Sequence, residues 1–284
     1  MLMANETYQP PVDLLLIYGD CRKFPQWPDY LELGFGPEHV PELIRMATDA
    51  ELSVADSDSM EVWAPVHAWR TLAQLHAEAA IEPLISLFHK VDDDDWISDD
   101  MPKVLGMIGP AAIPPLTAYL ADEQHGLWPR VTAGSCLQQI GEDHPTSRDE
   151  CVGILTRQLE LFEKQDETFN GMLISSLEDL KAVEAAPVMG GAFAADAVDE
   201  SIMGDWEDVQ VDLGLKEADE DYRKKNPWVG ALPGIIPLLP PPEPLVSEAG
   251  GSFLPSRNVS PKVKSKTKSK RKQAKSSRKK NRKR

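Results

Sequence analysis

The chain has 284 residues, 42% hydrophobic and 27% charged, a composition ordinary for a folded protein with one or two cores and far from that of a wholly disordered or fibrous chain. Its formal charge of −16 hides a split, because Arg257 to Arg284 hold 15 Lys/Arg and no Asp/Glu, leaving 15 basic against 46 acidic groups before them. The three cysteines form no CxxC pair, which argues against a disulfide framework or a cysteine zinc site and fits a reducing cytosol.

The opening MLMANETYQP lacks the basic and apolar runs of a signal peptide. A short helix is expected over PVDLLLIYGDCRKF, followed by an aromatic linker, PQWPDYLEL. FGPEHVPELIRMATD then aligns with the later IGPAAIPPLTAYLAD, Gly36-Pro37 on Gly109-Pro110, Val40 on Ile113, Pro41 on Pro114 and Leu43 on Leu116. This predicts the second helix of an early, divergent unit.

Three further units keep register. Trp63, Trp96 and Trp128 are 33 and 32 residues apart, and each lies 13 residues before a turn position held by His76, Gly109 and Gly141. Four residues before that turn stand Leu72, Leu105 and Leu137, and one before it Leu75, Ile108 and Ile140, the spacing of one buried helical stripe. Pro65, Pro102 and Pro129 are expected near the start of each first helix, and Pro83 and Pro115 in the first turn of second helices, where a missing N–H costs little. DECVGILTRQLELF reads as the third unit's second helix; NGMLISSLEDLK and VEAAPVMGGAFAADAVD read as a fourth, wider unit. Glu200 to Asn226 is strongly acidic and predicts one closing helix or an ordered cap.

The organisation expected is therefore all-α: an α-solenoid of about four to five helical hairpins with an acidic cap over 1–226, a Pro-rich linker over 227–256, and a basic tail over 257–284 that is disordered when free. VGALPGIIPLL is too short and too broken by Pro and Gly to span a bilayer, which needs about 20 residues. A cytoplasmic protein without membrane contact is expected.

With LGMIGPAAIPPLTAYL in view, the unit resembles HEAT-like repeats, including the short kind named after phycobilisome lyases. The resemblance covers roughly residues 30–195 and departs at the His76 turn and in the widened fourth unit. It implies a solenoid that binds other macromolecules. By analogy with the lyases it also implies an alternative role in attaching or detaching a bilin. The whole arrangement, with GDWEDV and the Lys/Arg tail, is similar to a group of bacterial proteins of uncharacterised function.

Catalytic motifs are missing: no GxSxG, P-loop, GxGxxG or HExxH occurs, and no histidine pair sits four apart beside a carboxylate. No catalytic residue, cofactor or metal is expected. His76 reads as a turn residue, His67 as packed beside Trp69, and Cys136 and Cys151 as buried, inert thiols. Trp63, Trp96 and Trp128 read as packing between repeats.

Acidic connections are the distinctive feature of the body. Asp56 and Asp58 lie in one, and Asp92, Asp93, Asp94, Asp95, Asp99 and Asp100 in the next. A solenoid brings both to one edge, where their potentials add and a basic protein partner would dock. Solubility and helix capping are the plainer roles. Trp206 and Trp228, outside the repeat rhythm, are further contact candidates. In the tail, Lys262, Lys264, Lys266, Lys268, Lys270, Arg271, Lys272, Lys275, Arg278, Lys279, Lys280, Arg282, Lys283 and Arg284 suit a polyanion such as RNA, bound without base stacking because no aromatic is interleaved. Docking of the tail on the acidic body, as a self-masking regulator, and a plain solubilising or targeting tail stand beside that reading. A non-enzymatic interaction scaffold is the leading expectation.

Overall fold

The computed structural model describes residues 8–225, which form two compact units, one up to Asp199 and one from Glu200. Among the described residues there are helices and no strands, so the chain is all-α.

The first unit opens with a strap over 8–35, followed by α1 (Val40–Ala47) and the short α2 (Ala50–Ser53). Four hairpins follow: α3 (Ala64–Gln74) with α4 (Ile81–Ile85), α5 (Asp95–Ile108) with α6 (Ile113–Ala121), α7 (Leu127–Asp143) with α8 (Arg148–Leu159), and α9 (Glu167–Asp179) with α10 (Ala186–Ala194). The first helices α3, α5, α7 and α9 stack each on the next, and α6 and α8 fill the angle between successive first helices. This is an α-solenoid, in which each hairpin covers the apolar face its neighbour cannot cover alone. The repeated leucines form its axis: Leu72, Leu105, Leu137 and Leu177 are all fully buried.

One local device marks every second helix. A 3₁₀ turn precedes α1, α4, α6, α8 and α10, at Pro37–His39, Glu78–Ala80, Pro110–Ala112, Pro145–Ser147 and Val183–Ala185. Its recurrence before α1, and the packing of α1 on α3, make α1 the second helix of an incomplete leading unit, as its alignment with α6 predicts.

Two positions differ from their expected places, one a turn and one a helix start. Gly109 does turn the chain, at φ +107, but Gly141 lies inside α7, which runs on to Asp143. There the glycine serves close packing, because a Cβ would come within 2.8 Å of Leu180 and 3.4 Å of Cys151. Pro102 is the second correction: it sits inside α5, because Asp94 accepts the Trp96 N–H at 3.0 Å and starts the helix at Asp95. Asp95, Asp99 and Asp100 are consequently helical residues instead of connector residues.

The strap also differs from the single short helix expected. It forms 3₁₀ turns at Val12–Ile17, Cys21–Lys23 and Leu31–Leu33, interrupted at Gly19, whose φ of +95 ends the first turn. Val12, Leu15, Cys21 and Tyr30 are buried. Two side chains of α3 hold it: Gln74 accepts from the Tyr30 N–H at 2.8 Å and donates to the Pro28 carbonyl at 2.7 Å. His67, the other, is described below.

In the second unit, α11 (Trp206–Asp212) opens on a reciprocal cap, Asp205 accepting from Asp208 N at 3.1 Å and Asp208 from Asp205 N at 2.9 Å. Gly214, at φ +71, ends it before α12 (Glu220–Lys225). The acidic segment is thus two helices. The Pro-rich linker and the basic tail lie outside the described residues. Among the described residues no single helix is long and apolar enough to cross a membrane.

Candidate functional site: an aromatic and acidic cleft

The two acidic connections meet. The loop after α2, carrying Asp58, and the loop before α5, carrying Asp93 and Asp94, line one cleft of about 490 Å³ whose floor is Trp63, Trp69 and Trp96. Stacking of α3 against α5 brings this about, since both loops lead into those two helices from the same end.

The tryptophans differ in how firmly they are set. Trp69 is buried and donates its indole N–H to the Ala47 carbonyl at 2.8 Å, tying α3 to α1. Trp63 precedes α3 and meets Trp96, in the first turn of α5, edge to face at 5.3 Å and 89°. The register of Trp63 and Trp96 thus does serve packing between repeats, and it also builds a two-sided aromatic corner. Trp128, a repeat further on, is half-buried and outside the cleft.

The strap supplies the remaining wall through Arg22. Its guanidinium carbon lies 4.7 Å from the Trp63 ring centroid, and the group is bound to Asp20 through contacts of 2.9, 3.1 and 2.7 Å. That pairing holds the Asp20 carboxyl below its ordinary pKa. Asp58, Asp93 and Asp94, in contrast, have no basic side chain within ion-pair distance among the described residues. Burial raises the Asp94 carboxyl, against the Trp96 N–H that it accepts. The cleft therefore offers indole faces together with carboxyl groups that form no ion pair among the described residues, which suits a cation with an apolar or planar body. Among the described residues no three His, Cys, Asp or Glu side chains are grouped as metal ligands.

The other candidate acids separate. Asp56 is exposed and accepts from the Asp58 N–H at 2.9 Å, which shapes the loop. Asp92 is exposed beside the cleft loop, and Asp95 and Asp99 are exposed on the first turns of α5. Asp100 is not part of the acidic surface. It faces inward and forms a buried bidentate pair with Arg70, at 2.7 and 3.1 Å. A lone inward aspartate is stable only when so matched. Trp206 is half-buried at the start of α11 in the second unit, whereas Trp228 and the tail's Lys and Arg residues lie outside the described residues.

Outside the cleft lining, His67 is fully buried and joins the strap to α3. Its Nε2 lies 2.8 Å from the Gly19 carbonyl, which can only accept, so Nε2 carries the proton and Nδ1 accepts from the Tyr30 hydroxyl at 2.6 Å. Burial lowers its pKa. The packing role expected for His67 holds, with a hydrogen-bonding role added. Cys136 and Cys151 are buried as expected, and burial pushes the Cys151 thiol up to about 11.

Arg22, Arg70 and Tyr30 were not among the candidate residues. The strap that carries two of them has no repeat signature, and one sequence does not show which helix a strap will cross.

Fold and site together define an all-α repeat protein with an aromatic, acidic cleft at one end of its stack. A family model described as "Protein of unknown function (DUF1186)" matches residues 36–226, and the chain belongs to that family. No curated protein and no solved structure matches it. Trp63, Trp96, Asp58, Asp93 and Asp94 lie within the matched span, whereas Arg22 and the strap lie before it.

Proposed function

We propose that the protein is a non-enzymatic adaptor whose first unit binds a basic segment of a partner protein in the cleft between α3 and α5. The observation that carries this reading is the convergence of Asp58, Asp93 and Asp94 over Trp63 and Trp96. The formal excess of acid over base before Arg257 adds long-range attraction for such a partner. The repeated 3₁₀ entry to each second helix, with a proline in or just before its first turn, supports reading the hairpins as HEAT-like repeats. The bilin reading rests on that resemblance alone, and nothing in the cleft favours it.

Calorimetric titration of the full chain with a Lys/Arg-rich peptide and with an acidic peptide of equal length tests the proposal. Binding of the basic peptide alone is expected, weakened about tenfold or more in Asp58→Asn/Asp93→Asn and in Trp96→Ala, corresponding to about 1.4 kcal/mol. Equal binding by the variants would move the partner site elsewhere.

A second activity is supported by the tail. Fifteen Lys/Arg in 28 residues, with no acid and no aromatic, suit a polyanion held by counterion release without sequence readout.

A further inference from the structure

Resting on the adaptor reading, a sharper inference comes from what already occupies the aromatic corner. Arg22 lines the cleft, and its guanidinium lies over the Trp63 ring. Its side chain keeps 63% of its exposure, so little but the Asp20 pair and the indole face holds it there. A guanidinium is planar, stacks on an indole, and keeps in-plane N–H donors for carboxylates, a combination that an ammonium lacks. The carboxylates at hand, Asp58, Asp93 and Asp94, form no ion pair among the described residues, Lys90 acting on Asp94 only at longer range.

We propose that the cleft is an arginine-binding site, and that Arg22 is its resident stand-in, displaced when an arginine side chain of a partner polypeptide enters. The incoming guanidinium takes the Trp63 face and pairs with the carboxylates of the two loops, while Arg22 swings out with Asp20. Selectivity follows from shape: a lysine keeps the charge but loses the stack, and a trimethyl-lysine keeps the cation–π contact but has no N–H for the aspartates. Because the bound state must expel Arg22, the apparent affinity is reduced by the fraction of molecules in which Arg22 occupies the corner.

Full-length protein is titrated with a peptide holding three arginines in a Gly/Ser background, and with matched peptides carrying lysine, trimethyl-lysine or citrulline in their place. Quenching of tryptophan fluorescence is followed alongside the heat. The informative variant is Arg22→Ala/Asp20→Asn, which empties the corner without changing net charge; Arg22 is exposed, Asp20 is half-buried and caps the Cys21–Lys23 turn, a role asparagine keeps, and circular dichroism checks the fold. The arginine peptide is expected to bind this variant at least about fivefold tighter than the wild type, to exceed the lysine and trimethyl-lysine peptides, and to lose binding in Trp96→Ala. Citrulline is expected to bind in neither protein. If the double variant and the wild type bind alike, or lysine and trimethyl-lysine match arginine, the arginine site is overturned, yet the adaptor reading survives wherever binding still needs Trp96. If no basic peptide binds any protein, both readings fall.

Discussion

At the scale of single residues, His67 ties the chain's stability to pH. Its neutral tautomer bridges Gly19 and Tyr30, and burial holds its pKa below the ordinary 6.5. The folded state then binds fewer protons than the unfolded state in that window. This contribution is fully present above pH 6.5 and is lost as pH falls from there through the lowered folded value, with a slope of at most about 1.4 kcal/mol per pH unit. Denaturant midpoints measured from pH 7.5 to pH 5 should fall less steeply for His67→Gln than for the wild type. Left-handed residues give a second case. His76 and Lys181 both end first helices at positive φ, +49 and +53, with paired hydrogen bonds that a glycine would make without strain. Lys181→Gly should raise stability by about 1 kcal/mol. His76→Gly should not, because it gives up the bond from Nδ1 to the Met107 carbonyl at 2.5 Å; thermal melts of the pair check the contrast. His76 was legible as a turn residue from its position, four after Leu72. Its reach into the next hairpin was not, since hairpin spacing is set by packing that no single stretch displays.

At the scale of helices, ends are closed by side chains from neighbouring hairpins. The last carbonyls of an α-helix have no partner of their own. Arg130 donates to the Leu120 carbonyl ending α6, at 2.8 Å, and Arg148 to the Leu180 and Lys181 carbonyls after α9, at 2.9 and 3.0 Å. The buried Arg70–Asp100 pair does comparable work between α3 and α5, beneath Trp27, whose ring lies 5.0 Å from the Arg70 guanidinium. Asp100→Ala leaves a buried cation unmatched and should cost about 3–5 kcal/mol in urea unfolding, whereas Arg70→Met with Asp100→Leu should recover most of that loss. The helices themselves were largely legible, because Leu72 and Leu105 stand four residues before turns and Leu137 holds the same buried place in α7. Asp100 was misread because DDDDWISDD looks uniform in composition. Only the start of α5 at Asp95 decides that its last aspartate faces inward.

At the scale of the whole molecule, charge is divided between an acidic body and a basic tail, as the composition states directly. If the tail is the polyanion site, the full chain should bind single-stranded RNA with an affinity that falls steeply with salt, losing orders of magnitude over a few-fold rise. A truncation after Ser256 should lose that binding. Filter binding across a salt series checks both, and equal retention of RNA by the two proteins would remove the tail from the account. The repeat architecture was legible from the same chain-wide view, through the Trp spacing and the match of residues near Val40 to those near Ile113. The cleft was half legible. Shared loop geometry predicts that Asp58 and Asp93 approach one another, but the strap that closes one wall has no periodic mark to announce it.

Two histidines converge on the end of α5. His76, from the hairpin before, takes the Met107 carbonyl, and His144, from the hairpin after, takes the Gly106 carbonyl at 2.8 Å. Repeat arrays ordinarily behave as nearest-neighbour chains that peel from either end. Here the middle hairpin is stitched to both flanks by directional bonds at one point, so α3 through α8 should come apart as a single cooperative block, leaving the fraying to the ends of the stack.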